Sequence, residues 1–183
     1  MTVEARHLTM DELEEGLDEI MRAPRDRGVL QMIVRRPGVG EREVQLEAQL
    51  DVEHGLAGDN WAKRSAPRPP NREAQLTLMN ARVTALVAQD RERWPLAGDQ
   101  LYVDLDLSEA NLPAGSRLGI GTAVVEVSAL PHTGCAKFVA RFGRDAMTFV
   151  NAPGHRELRL RGMNVRIVRS GVIRVGDTIN RLD

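Results

Sequence analysis

Residues 131–143, PHTGCAKFVARFG, carry the only cysteine of the chain, Cys135. The preceding residues 123–130 are apolar and rich in β-branched side chains, which is typical of a strand. After the cysteine, Phe138 and Phe142 recur at helical spacing. We therefore predict that Cys135 lies at a junction between strand and helix. The unpaired N–H groups and the dipole of a helix N-terminus stabilise a thiolate and attract anions.

Two other interpretations of Cys135 stay open at this point. A lone cysteine is more often a small buried apolar residue than a reactive one. His132, three residues earlier, would favour the reactive thiolate if it were protonated, and it could also share a zinc ion with Cys135. The remaining histidines are scattered, without a second pair at zinc-finger spacing: His7, His54 and His155. A zinc site is the least favoured of these interpretations.

Length and composition limit the class of protein. The chain has 183 residues, which suits one domain with a sizeable core, and we predict a single domain over residues 1–183. The formal net charge is −1 and aromatic residues make up 3% of the chain, so neither general attraction to nucleic acid nor base stacking is indicated. A single cysteine forms no intramolecular disulfide, and we see no signal peptide or membrane span. We expect a cytoplasmic protein that binds neither nucleic acid nor membranes.

The region beyond Cys135 is locally basic and prefers arginine to lysine. Its basic residues are Lys137, Arg141, Arg144, Arg156, Arg159, Arg161, Arg166, Arg169, Arg174 and Arg181, against Asp145, Glu157, Asp177 and Asp183. The planar guanidinium suits phosphate or carboxylate groups. Each arginine alone is more simply explained as solvated surface, but the group follows a candidate anion site.

Residues 9–23 predict an N-terminal docking helix. Thr9 and Glu12 form a capping box, Leu8 and Leu13 match a hydrophobic staple, and Pro24 ends the helix. The apolar side chains of this segment fall on one stripe, which indicates that the helix packs against the rest of the domain.

The middle of the chain predicts mainly strands. Residues 29–34 and 44–52 are interpreted as a hairpin. The side chains of its second strand that are expected to point inward are Val44, Leu46, Ala48, Leu50 and Val52. Residues 75–79 predict a strand, Asn80 a helix cap, and residues 118–121 a turn that leads into the strand before Cys135. Many short strands with few helices favour a mostly β fold with peripheral helices, in which the sheet curls into a barrel.

An ordered set of short motifs resembles the MOSC domain family, named for the C-terminal domain of molybdenum cofactor sulfurase. The motifs are GLAGD at 55–59, QLTL at 75–78, EANL at 109–112, LGIG at 118–121, Cys135 followed by Lys137 and Phe138, RGMNV at 161–165 and GVIRVGD at 171–177. Each motif alone is weak evidence for the family, whereas the ordered set is fairly specific for it. The resemblance implies a closed β-barrel of the MOSC, or pyruvate-kinase-insert, type with a cysteine on a loop beside a cleft.

The resemblance also implies a cofactor and a set of site residues. In that family the cysteine is thought to ligate molybdenum or to carry a sulfane sulfur as a persulfide, which makes Cys135 the candidate catalytic residue and metal ligand. Gly58 and Asp59 match the glycine–aspartate loop of the family. Lys137 and Arg161 are expected near the phosphate and pterin of the molybdenum cofactor (molybdopterin).

Two kinds of function follow from the resemblance. Small stand-alone bacterial members include reductases of N-hydroxylated compounds, and others transfer sulfur. In a reductase, His132 or a bound water would supply protons. The sequence shows no companion N-terminal barrel, aminotransferase-like domain or ferredoxin module, so an external electron donor or sulfur donor protein is expected. The alternative is a non-catalytic module that binds or carries the cofactor or another anion.

Overall fold

The computed structural model describes residues 5–182. The strands are β1 (Gly28–Arg35), β2 (Glu43–Gln45), β3 (Glu47–Asp51), β4 (Gly55–Leu56), β5 (Leu76–Asn80), β6 (Leu101–Asp104), β7 (Arg117–Ile120), β8 (Ala123–Val127), β9 (Met163–Arg169), β10 (Gly171–Arg174) and β11 (Thr178–Leu182). The α-helices are α1 (Met10–Glu15), α2 (Leu17–Met21), α3 (Ala81–Ala88), α4 (Ala136–Phe142) and α5 (Arg144–Asn151). Short 3₁₀ helices cover Arg72–Ala74, Arg91–Ala97 and Pro153–Leu158.

Seven strands close into a barrel in the order β1-β11-β7-β8-β9-β5-β6, with β6 pairing back onto β1. The neighbours are antiparallel except β5 and β6, which run parallel. Parallel strands need a crossover connection, and α3, capped by the Asn80 side chain as predicted, provides most of it together with the 3₁₀ helix Arg91–Ala97. A second sheet of three strands has the order β10-β3-β4. The mostly β fold with a closed barrel and peripheral helices is thus confirmed.

Strand alternation divides the apolar side chains between two cores. Ile33 on β1 and Leu78 on β5 point into the barrel, where they join one buried cluster. Their chain neighbours on the opposite face, such as Met32 and Met79, join a second cluster. That second cluster also contains Phe138 and other side chains of the helices, so the helices cover the outside of the barrel.

The predicted hairpin is partly correct. β1 and β2 pair antiparallel, but β2 ends at Gln45 and β3 turns away into the small sheet. The prediction that Val44 and Leu46 point inward was wrong, because these two residues are 55% and 80% exposed. Leu50 is fully buried, as predicted. The physical reason is that residues 44–52 are divided between two sheets: β2 is an edge strand, and Leu46 lies in the bend between β2 and β3.

The predicted helix over residues 9–23 is divided at Gly16 into α1 and α2. The capping box of Thr9 and Glu12 is present. A Cβ atom at Gly16 would lie 2.6 Å from Cδ2 of Leu86, so this glycine lets α3 approach closely. Leu13 and Ile20 are buried in the second cluster, and α1 and α2 pack against α5 and α3, respectively. No helix within residues 5–182 has the length and apolar character needed to cross a membrane.

The prediction of a turn at residues 118–121 was also wrong. Residues Arg117–Ile120 form β7, and the turn follows at Gly121, where the backbone has a φ of 56°. A Cβ atom at Gly121 would lie 2.2 Å from the carbonyl oxygen of Val172. The turn therefore forms at Gly121, where the backbone approaches Val172 closely, and not at Gly119, which lies within β7.

Candidate functional site

A cleft of about 390 Å³ opens between the loop that follows β8 and the segment that leads into β9. It is lined by Glu109, by residues 128–133, by Val150 and Asn151, and by Arg156, Arg159, Arg161, Gly162 and Met163. The amide of Asn164 fixes the loop by donating to the carbonyl oxygens of Leu130 and Pro131, at 3.1 and 3.2 Å. The part of the loop that lines the cleft before Cys135 is therefore held against the barrel.

Cys135 is the N-cap residue of α4, and the cysteine is exposed. The buried apolar interpretation is thus wrong. The predicted helix start at Cys135 is confirmed, but the strand does not lead directly into it, because β8 ends at Val127 and residues 128–135 form a loop. Cys135 does not line the cleft itself; its neighbour Gly134 donates to Oδ1 of Asn151 at 3.2 Å, and Asn151 does line it. The thiol therefore stands next to the cleft rather than inside it.

A buried carboxylate joins two of the cleft side chains. Oδ1 of Asp99 lies 3.0 Å from Nε2 of His132, and Oδ2 accepts from Nη1 of Arg161 at 2.6 Å. The Asp99 side chain is 0% exposed. Burial alone would raise the pKa of Asp99, but the charge of Arg161 and the hydrogen bonds from His132 and Arg161 lower it to about 2. Asp99 is therefore ionised and accepts hydrogen bonds from both neighbours.

Arg161 also contacts the helix that Cys135 begins. Its Nη2 donates to the carbonyl oxygen of Ala97 at 2.9 Å, and its guanidinium carbon lies 5.1 Å from the centre of the Phe138 ring on α4. Nε of Arg161 has no hydrogen-bond partner within the described residues. One buried arginine thus positions Asp99 and supports α4.

The other two arginines of the cleft differ in their surroundings. Arg159 donates through Nη1 to the carbonyl oxygens of Leu107 and Leu112, and burial lowers its pKa. Arg156 makes no side-chain hydrogen bond or ion pair with any residue from 5 to 182. Glu109 is the acidic residue of the lining, so basic groups outnumber acidic ones there. Such a cleft favours an anionic ligand.

Comparison with known proteins agrees with this geometry. The family model of the MOSC domain matches residues 71–180. The chain belongs to the MOSC domain family. The resemblance inferred from the sequence is confirmed, and the barrel with its thiol-bearing loop is a MOSC barrel.

Solved structures share the MOSC fold at low sequence identity. The YuaD protein from Bacillus subtilis is similar with a TM-score of 0.56 and 16% identity, covering 83% of this chain and 93% of that one. YiiM from Escherichia coli is similar with a TM-score of 0.54 and 19% identity, covering 86% and 69%. YiiM from Geobacillus stearothermophilus has a TM-score of 0.56 and 14% identity, covering 85% and 75%. No curated protein matches the chain in sequence.

The glycine–aspartate loop lies elsewhere in the MOSC barrel. Gly58 and Asp59 are absent from the lining of the cleft. The Asp59 side chain is 0% exposed and binds Arg36 with two contacts of 3.0 Å, and Arg36 in turn donates to the carbonyl oxygen of Gly98 at 3.1 Å. The loop thus braces the turn that carries Asp99, and its link to the cleft runs through that turn.

The structure therefore brings His132 and Arg161 into one cleft, whereas Cys135, Lys137, Gly58 and Asp59 lie outside its lining. Lys137 is exposed on the first turn of α4 and does not line the cleft. Sequence reasoning missed Asp99, although its position directly after the turn at Gly98 was a usable signal. Across the part of the chain that the structure describes, no three His, Cys, Asp or Glu side chains form a group that could hold a metal ion.

Proposed function

We propose that this MOSC protein binds the molybdenum cofactor at the cleft and, through Cys135, reduces N-hydroxylated compounds. The observation that carries the proposal is an exposed thiol at a helix N-cap, directly beside a cleft with a surplus of basic side chains. A soft thiolate suits molybdenum, and a basic wall suits the anionic tail of the cofactor. The residues present therefore fit the cofactor.

The roles divide among residues of the chain. Cys135 would hold the metal, and the free guanidinium of Arg156 would hold the phosphate. Arg161 would contribute its charge from the buried side, because both of its Nη atoms already bind protein groups. When bound, the cofactor supplies two-electron chemistry that removes an oxygen atom from nitrogen.

The overall reaction breaks one N–O bond: R–NHOH with two electrons and two protons gives R–NH₂ and water. An external donor protein supplies the electrons. His132 lines the cleft and, as the imidazolium, would give one of the two protons to the departing oxygen. Its hydrogen bond to Asp99 holds the imidazole in one orientation.

Sulfur transfer is a second candidate, because the thiol of Cys135 is exposed and has no capping bond in the described structure. In that reaction the thiolate attacks the terminal sulfur of a donor persulfide, R–S–SH. Cys135 becomes the persulfide and R–S⁻ leaves. A sulfur donor protein would then be the partner. We propose the cytoplasm as the location for either reaction.

Metal and pterin analysis of protein from a host that makes the cofactor tests the proposal. The wild type should contain molybdenum and pterin and should reduce an N-hydroxylated amidine with an artificial electron donor. Cys135→Ser should lose molybdenum by at least about tenfold, as expected when a metal ligand is weakened. The matched control is Ser170→Ala, because Ser170 lies outside the cleft and its hydroxyl accepts from the backbone N–H of Val52.

Each outcome decides between the functions. Molybdenum with turnover in the wild type, both lost in Cys135→Ser, supports the reductase. Equal and negligible molybdenum in both proteins contradicts cofactor binding through Cys135, and a persulfide on Cys135 would then favour sulfur transfer. Bound cofactor without any turnover supports the carrier module instead.

A further inference from the structure

We propose that Asp99 is the positioning residue of His132: it holds the imidazole as the Nε2–H tautomer, so that Nδ1 is the nitrogen presented to the cleft. The assignment of a tautomer stands on the structure of the chain alone. Its consequence for reduction, that Nδ1 is the nitrogen that exchanges the proton, rests on the proposed function.

The hydrogen bonds of Asp99 leave one arrangement for the ring. An ionised carboxylate is an acceptor only, so the nitrogen of His132 that faces it must carry the hydrogen. Nε2 is that nitrogen, at 3.0 Å from Oδ1. No residue from 5 to 182 makes a hydrogen bond with Nδ1. In the neutral ring Nδ1 is thus an unoccupied acceptor, and in the protonated ring it is an unoccupied donor.

The Asp99 carboxylate is held in its orientation towards His132 by other hydrogen bonds. Its other oxygen binds Arg161, and Arg161 is fixed in turn by the carbonyl oxygen of Ala97. The preceding residue, Gly98, adopts a left-handed conformation with a φ of 92°, and its carbonyl oxygen binds Arg36. The carboxylate is therefore held from both sides of the turn that carries it.

Neighbouring residues also hold the ring of His132 in place. The backbone on its N-terminal side is fixed by the two hydrogen bonds from Asn164 to the loop. Behind the ring lies Gly162, at which a Cβ atom would be 3.4 Å from Cδ2 of His132 and 2.3 Å from the carbonyl oxygen of Leu78. The Leu78 carbonyl is what requires glycine at this position, and the His132 ring lies within van der Waals distance of a Cβ atom there. His132 nevertheless lines the cleft, and its side chain is 19% exposed.

The group formed by Asp99, Arg161 and His132 differs from an ion pair that has only a structural role. Asp99 and Arg161 would satisfy each other without a third group, whereas the histidine adds a partly exposed ring with one free nitrogen. A buried carboxylate that orients an imidazole for chemistry at its other nitrogen is a recurrent device in enzymes and metal sites. The structure thus assigns Asp99 a function through His132 rather than a contact with substrate.

Long-range ¹⁵N–¹H NMR of the cofactor-free protein tests the tautomer directly. At a pH where the ring is neutral, wild-type His132 should show the Nε2–H pattern. In Asp99→Asn, Arg161 can only donate, so the single amide oxygen should face Arg161 and the amide NH₂ should face His132. Nε2 must then accept, and the tautomer should switch to Nδ1–H.

The control changes an aspartate whose ion pair lies outside the Asp99 network. Asp104→Asn weakens the pair with Arg82 and should leave the His132 tautomer unchanged. If Asp99→Asn fails to fold, the wild-type spectrum still decides, because an Nδ1–H ring in the wild type overturns the proposal. An unchanged tautomer in folded Asp99→Asn also overturns it.

Kinetics of the reductase give the second readout. With cofactor loaded, Asp99→Asn should lower kcat by about 10- to 100-fold while KM and molybdenum content stay near wild type. Asp104→Asn, which breaks a half-buried pair with Arg82, should keep kcat. A kcat equal to wild type in a variant with the switched tautomer contradicts the role of Nδ1. If the wild type shows no turnover at all, the proposed reduction fails, and the NMR result still stands or falls by itself.

Discussion

Nη1 of Arg161 lies 2.6 Å from Oδ2 of Asp99, and the two side chains are 8% and 0% exposed. The pair stands where the barrel meets the helices, since Arg161 precedes β9 and packs on Phe138 of α4. Through Asp99 it reaches His132 in the cleft. The same pair therefore contributes to stability and to the geometry of the site.

Removing the arginine should be more damaging than neutralising the aspartate. Arg161→Met leaves an ionised Asp99 buried without its main counter-charge, and loss of one partner of a buried pair costs about 3–5 kcal/mol. Asp99→Asn leaves a neutral amide opposite Arg161 and should cost less. Urea denaturation of both variants measures the order of the two losses. An Arg161→Met variant within about 1 kcal/mol of wild type would show that the pair contributes little.

Acid should weaken the fold through Asp99. Its pKa is about 2 in the folded protein, below the ordinary value of 3.8, so the unfolded chain takes up the proton first as pH falls. The stabilisation is complete above about pH 4 and is lost as pH falls towards 2. The free energy of unfolding of the wild type should therefore drop by roughly 2 kcal/mol more than that of Asp99→Asn over this range.

Urea titrations at pH 5, 4, 3 and 2 check this difference. Glu12 also has a pKa lowered to about 2, by its bonds to Arg6 and Thr9, and it contributes to the pH dependence of both proteins. Glu12→Gln placed in both backgrounds removes that contribution. Parallel pH profiles for wild type and Asp99→Asn would contradict the assignment to Asp99.

Local signals made part of this fold predictable. The capping box of Thr9 and the cap of Asn80 depend on residues two or three positions apart, and both are present. The link of His132 to Asp99 spans 33 positions. No periodicity or short motif encodes such a contact, because strand pairing and loop packing bring the two residues together.

The outward placement of Leu46 has the same origin. Alternation along residues 44–52 predicts one continuous strand, but it does not reveal that the segment is divided between two sheets or which side another layer covers. β2 stands at the edge of its sheet, and β3 leaves for another one. The side of a strand that becomes core is therefore decided by the tertiary arrangement.

Arg156 offers a test of the anion site that leaves the fold intact. Its side chain lines the cleft without a bond to the rest of the described chain, so Arg156→Ala should leave the thermal midpoint unchanged. If it binds the cofactor phosphate, pterin content should fall by about tenfold, the usual effect of about 1.4 kcal/mol. Arg144→Ala, at an exposed position outside the cleft, is the matched control. Equal pterin content in the two variants would contradict a role for Arg156.

The turn after β7 can be tested by a pair of glycines. Gly121 and Gly176 both have positive φ, at 56° and 95°, so an alanine at either position is strained by roughly 1–2 kcal/mol. At Gly176 a Cβ atom meets nothing within 4 Å, whereas at Gly121 it would lie 2.2 Å from the carbonyl oxygen of Val172. Gly121→Ala must therefore also separate two backbone segments. Chemical denaturation should show a clearly larger loss for Gly121→Ala than for Gly176→Ala, and equal losses would mean that backbone conformation alone sets the requirement for glycine.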